Sequence, residues 1–80
     1  MEKKDIIKTY LKKEIIKDKD IDIKNDEPLI TSGLIDSFNL VKLAVFLEKT
    51  FKVKINNSKV AVKSMNTIND IAKTVEESKK

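Results

Sequence analysis

The 80-residue chain has no cysteine, no histidine, no tryptophan and no arginine, and only one glycine and one proline. Without cysteine there is no disulfide frame and no thiolate chemistry. Without histidine the commonest general base and metal ligand are absent, so Ser-His and Cys-His nucleophile systems are excluded. All 17 basic residues are lysine, and the formal net charge is +4. A basic chain points first to polyanions. Sequence-specific binders, however, use arginine for bidentate base and phosphate contacts. At 5 % aromatic residues the chain is also too poor in rings for a base-stacking platform. No apolar run approaches the length of a bilayer span, the longest being Leu43–Leu47. The amphipathic start Met1-Glu2-Lys3-Lys4-Asp5 is no signal peptide. A cytoplasmic protein with no stable membrane insertion is the expectation.

What is present is enough apolar residue, 40 %, for one small core. Residues 1–80 are therefore read as one domain, expected to be a monomer. With so few chain breakers the domain is expected to be all-α. Ile6, Ile7, Tyr10, Leu11, Ile15 and Ile16 recur at helical spacing, predicting a helix over about residues 3–17. A long connection, Asp18 to Ile35, follows. It holds Asp18, Asp20, Asp22, Asp26 and Glu27 against Lys19 and Lys24, together with Pro28 and Gly33. Connections of this length in a small domain are often functional. Its start, Asp-x-Asp-x-Asp, falls short of a calcium loop, because Ile23 and Leu29 stand where glycine and glutamate are required.

Leu40, Leu43, Ala44, Leu47 and Phe51 predict a second helix over residues 37–51, with Asp36 or Ser37 as N-cap. Phe38, Val41 and Val45 form a second apolar stripe beside the core face. A surface helix needs only one buried stripe, so this one is free to face a partner. Lys52-Val53-Lys54-Ile55 alternates too briefly for a strand. Asn56-Asn57-Ser58 offers a cap for a short helix carrying Val60 and Val62. Thr67-Ile68-Asn69-Asp70 predicts the start of a last helix with Thr67 as its cap, and Lys79-Lys80 suits its negative end.

The stretch Leu29–Ile55, LITSGLIDSFNLVKLAVFLEKTFKVKI, carries the functional signal. A long loop ends in Gly-Leu-Ile, Asp36-Ser37-Phe38 opens a helix, and Leu-Glu-Lys-Thr-Phe closes it. With the leading amphipathic helix and the closing Thr-Ile-x-x-Ile helix, this resembles the acyl carrier and peptidyl carrier protein family. The resemblance implies a four-helix bundle of three main helices and a short third one, joined by a long first loop. It implies that Ser37 is the attachment site of 4′-phosphopantetheine, making the chain a phosphoprotein. A phosphopantetheinyl transferase would move this group from coenzyme A to the hydroxyl. The arm's thiol would hold acyl or aminoacyl groups as thioesters. By the same resemblance Asp36 engages the transferase and its metal ion, and Phe38, Val41, Lys42 and Val45 meet partner enzymes. The implied partners are a loading ligase and a downstream synthase or transferase, and the chain itself is no enzyme, holds no resident metal and binds no nucleic acid.

Two departures bear on the pathway. Phe38 stands where leucine or methionine is usual. From Ser37 to Ile55 the chain holds Lys42, Lys49, Lys52 and Lys54 against Glu48 alone. Carriers of bacterial fatty acid biosynthesis have a strongly acidic second helix, and like charges repel basic partners. The expectation is therefore a dedicated carrier in a specialised lipid, polyketide or nonribosomal peptide pathway. A general fatty-acid carrier and a D-alanyl carrier are the alternatives. The competing class is a small basic module for nucleic acid or anionic membranes, and a third is a carrier homologue that is never modified.

Overall fold

The computed structural model describes residues 2–18 and 20–79; the expected role of Lys80 lies outside them. Among the described residues four α-helices form: α1 (Lys3–Tyr10), α2 (Asn39–Phe51), α3 (Val62–Met65) and α4 (Ile68–Ser78). No strand occurs among the described residues. The all-α carrier-type architecture is the one expected, with differences at the element ends.

α1 does not run unbroken to Lys17. It passes into a π-helical turn over Leu11–Ile15, closed by the Ile16 N–H donating to the Leu11 carbonyl at 2.7 Å. Five residues of π-geometry hardly change the apolar spacing, so periodicity alone does not reveal them. Lys17 then turns left-handed at φ 61°. The Asp18 N–H reaches back to the Lys12 carbonyl at 2.9 Å, ending the segment.

The core joins every part of the chain. Ile7 and Leu11, Ile23 and Leu29 of the long loop, Leu43 and Leu47 of α2, Met65 of α3, and Ile68, Ile71 and Val75 of α4 are all buried. Burying such side chains contributes roughly 1.5–3 kcal/mol each before entropy is set against it. The long loop therefore packs down, as its apolar residues imply.

Asn66 anchors that loop at the α3–α4 junction. Its Oδ1 accepts from the Ile30 N–H at 2.9 Å and the Thr31 N–H at 3.1 Å, and its Nδ2 donates to Thr31 Oγ1 at 3.2 Å. The Leu29 N–H adds a bond to the Asn66 carbonyl at 2.6 Å. The expected short helix is split: a 3-10 turn, Asn57–Lys59, capped by Asn56, precedes the separate α3. Thr67 caps α4 as expected, its Oγ1 accepting from the Asp70 N–H at 2.9 Å. Lys3 of α1 pairs with Glu76 near the end of α4, so the start of the first helix meets the end of the last.

Candidate functional site

The chain approaches Ser37 through a turn that the single glycine permits. The Gly33 N–H donates to the Ile30 carbonyl at 3.1 Å, and Gly33 takes φ +86°. A Cβ there would meet nothing within 4 Å, so backbone conformation, not space, selects glycine. Ser32 Oγ donates to the Pro28 carbonyl at 2.6 Å, and the Ile35 N–H closes the loop on the Leu29 carbonyl at 2.9 Å. Ile35 is buried. It pins the chain one residue before Asp36 and so fixes where the next three residues emerge.

Asp36, Ser37 and Phe38 are all exposed. They form one tight turn before α2 rather than its first α-helical residues. The Asp36 carboxylate accepts from the Phe38 N–H at 3.0 Å, and its carbonyl accepts from the Asn39 N–H at 2.9 Å. The Ser37 carbonyl accepts from the Leu40 N–H at 3.1 Å. Neither expected cap stands at the helix start: Phe38 occupies the N-cap position with no side-chain cap, and the Asp36 carboxylate closes the turn before it. Ser37 is left with its hydroxyl and its own N–H unpartnered among the described residues. A free hydroxyl at the positive end of a helix dipole suits a phosphodiester. The residues present thus fit a phosphopantetheine group.

From Phe38 the apolar stripe continues along α2. Phe38 is 88 % exposed, Val41 65 % and Val45 44 %. Val41 and Val45 also line a groove of about 320 Å³ with Ala44, Ile55 and Val60. The stripe thus runs from the serine into a mainly apolar trough, edged by Glu48 and Asn57, between α2 and the segment leading to α3. Leu47, Ile68 and Ile71 are fully buried, which places them in the core.

Lys42 departs from this grouping. Its Nζ donates to the Glu14 carbonyl at 3.2 Å, at the end of the π-turn. A cation suits the negative end of a helix. Next to it the Tyr10 and Phe46 rings stack with centroids 3.7 Å apart and planes 12° apart. Burial, and then the Glu14 charge, raise the Tyr10 pKa. So Lys42 lies toward α1, beside the α1–α2 seam, while Phe38, Val41 and Val45 look outward together. Among the described residues no group of three or more acids gathers as a metal site.

The comparison that decides the family covers nearly all of this frame. Residues 5–75 match the family model described as phosphopantetheine attachment site. The chain belongs to the phosphopantetheine-binding carrier proteins. Carriers of this family hold the arm covalently, work with a phosphopantetheinyl transferase and with loading and acceptor enzymes, and are in general not catalysts themselves. The carrier is similar to the D-alanyl carrier protein of Streptococcus uberis (strain ATCC BAA-854 / 0140J), 41 % identical over 70 % of each chain. It is also similar to the D-alanyl carrier protein of Streptococcus pyogenes serotype M5 (strain Manfredo), 38 % identical over 72 % of this chain and 73 % of that one. No solved structure matches it at comparable significance. No helix of the described residues is long and apolar enough to cross a membrane.

Asn66 and the Tyr10–Phe46 stack escape sequence reasoning. An asparagine before a capping threonine has no distinctive signature, and stacking across two helices depends on their mutual rotation.

Proposed function

We propose that the chain, acting as one domain, is a D-alanyl carrier whose arm is attached at Ser37. The exposed, unpartnered Ser37 hydroxyl at the start of α2 carries this reading. In the transfer, Ser37 Oγ attacks the pantetheine-bearing phosphorus of coenzyme A. Its proton passes to the transferase, and adenosine 3′,5′-bisphosphate leaves. The carrier supplies only the nucleophile, which accords with its having no histidine. Asp36 holds the turn and keeps a carboxylate edge toward the transferase and its metal ion. The attached arm supplies a thiol that holds the cargo as a thioester.

The similarity to D-alanyl carrier proteins supports D-alanine as the cargo, in preference to the lipid, polyketide or peptide pathways. Phe38, Val41 and Val45 then form the surface met by the aminoacyl-loading ligase and the downstream transferase. Attachment to a carrier raises the effective concentration of the activated residue at each docked enzyme. The cytoplasm, where coenzyme A and ATP are available, is the proposed site of loading.

The test is loading of the holo protein with D-alanine, ATP and a D-alanyl-activating ligase, followed by intact mass. One alanyl adduct, released by hydroxylamine and formed poorly with L-alanine, is expected. Modification by phosphopantetheine without D-alanine loading, but with acyl loading by a fatty-acyl ligase, would move the carrier to lipid synthesis.

A further inference from the structure

The charge of this carrier is not spread evenly. Residues 18–37 hold six acids, Asp18, Asp20, Asp22, Asp26, Glu27 and Asp36, against Lys19 and Lys24, an excess of four negative charges. Two adjoining surface hollows elsewhere hold the reverse. One, of about 480 Å³, is lined by Lys52, Lys54, Lys59 and Lys79. The other, of about 240 Å³, is lined by Lys59, Lys63 and Lys73. They share Lys59 and Glu77, which pair at 3.2 Å. Across both, six lysines stand against Asp70 and Glu77 in the lining and Glu76, which pairs with Lys79 at 3.3 Å, an excess of three positive charges.

The larger hollow lies at the far ends of helices whose starts face the acidic loop, and the smaller one runs from it along α4 to Asp70 in the first turn. Ser37 precedes the start of α2, and Lys52 caps its end. Thirteen helical residues separate them by about 20 Å. The start of α4 lies beside the loop, with the Asn69 N–H on the Asn25 carbonyl at 3.0 Å, and its end carries Lys79. The molecule is thus polarised, with the serine on the acidic side and the larger lysine hollow away from it.

We propose that this lysine surface adsorbs the carrier peripherally to an anionic phospholipid bilayer, leaving Ser37 directed away from the lipid. Three observations favour a lipid surface over a protein or a nucleic acid. The large exposed apolar residues, Phe38 just before α2 and Val41 and Val45 on it, lie outside both hollows, so the lysine surface lacks the anchors on which protein interfaces depend. Every cation is a lysine, a mobile point charge suited to a diffuse anionic layer and lacking the planar fork that reads bases. None of Lys54, Lys63 and Lys73 takes part in an ion pair among the described residues, so their charge is available.

Each lysine near an anionic leaflet strengthens adsorption about fivefold, within a screening length of about 10 Å at 0.1 M salt. The test is co-sedimentation of the full-length apo protein with vesicles of phosphatidylglycerol and phosphatidylcholine, against phosphatidylcholine alone. Binding is expected only to the anionic vesicles, lost at high salt and unchanged in Ser37→Ala, which separates this surface from the attachment reading. Lys54→Glu, Lys63→Glu and Lys73→Glu combined should reduce partitioning by about a hundredfold or more. Lys13→Glu, Lys17→Glu and Lys24→Glu combined make the same change in net charge elsewhere and should retain most binding. Equal loss in both variants, or no binding of the wild type to anionic vesicles, overturns the proposal. Tighter binding to duplex DNA than to the vesicles, lost in the first variant, also overturns it and assigns the surface to nucleic acid.

Discussion

Replacing Asn66 by alanine tests how the long loop is held in front of the serine. The side chain makes three hydrogen bonds, two of them as acceptor from the backbone of Ile30 and Thr31. Such bonds contribute a net ~0.5–1.5 kcal/mol each, and partial exposure puts these in the lower half of that range. The expected loss is about 2 kcal/mol, which lowers the melting midpoint of a domain this size by roughly 10 °C. Asn66→Asp separates the components. It keeps both accepted bonds and loses only the donation to Thr31 Oγ1, so it should retain more than half of the stability. Thermal unfolding followed by circular dichroism measures both variants. Amide exchange should accelerate at Ile30 and Thr31 in the alanine variant before it does in the core of α4. A midpoint shift below about 2 °C in Asn66→Ala, or an equal loss in Asn66→Asp, would refute the claim that the accepted bonds hold the loop.

Other expectations follow from single features. Phe38→Ala removes a side chain that is 88 % exposed, so stability should change by less than about 0.5 kcal/mol. Steady-state kinetics with the loading ligase should nonetheless show a rise of about tenfold in KM for the carrier, as expected for loss of an aromatic anchor. Thr67→Ala removes the α4 cap and should lower stability by about 1 kcal/mol in urea titration, with Thr67→Ser restoring most of it. The raised pKa of Tyr10, caused by burial and then by Glu14, means that its contribution is complete below its ordinary value of 10.0 and is lost as the pH climbs above it. Tyr10→Phe should therefore flatten the alkaline side of the stability profile; an unchanged alkaline fall would contradict this.

The parts of the fold legible in the sequence are those with a local cause. The apolar spacing of Leu40, Leu43, Ala44 and Leu47 found the buried face of α2, and the same reading of Thr67 found the α4 cap. Phe38, Val41 and Val45 stood out because a second stripe has no place in a core filled by the first. What stayed hidden depends on contacts distant in sequence. The Asn66 clamp spans 35 and 36 residues, and the Lys42 bond to Glu14 spans 28. The tie of Lys42 to Glu14 has no local signal, because only the angle between α1 and α2 brings the two together. The start of α2 was read two residues early, since the Asp36–Phe38 turn carries helix-like bonds before regular α-geometry begins at Asn39. At Val60–Ala61 the break between the 3-10 turn and α3 comes without glycine or proline, so no local signal marks it.

The most direct measurement is intact mass of the apo protein after incubation with coenzyme A and a broad-specificity phosphopantetheinyl transferase, followed by peptide mapping. One phosphopantetheine per chain is expected, located on Ser37 and absent from Ser37→Ala, with the variant melting within about 2 °C of the wild type because Ser37 is exposed. An arm on any other serine, or modification that persists in Ser37→Ala, would contradict attachment at Ser37.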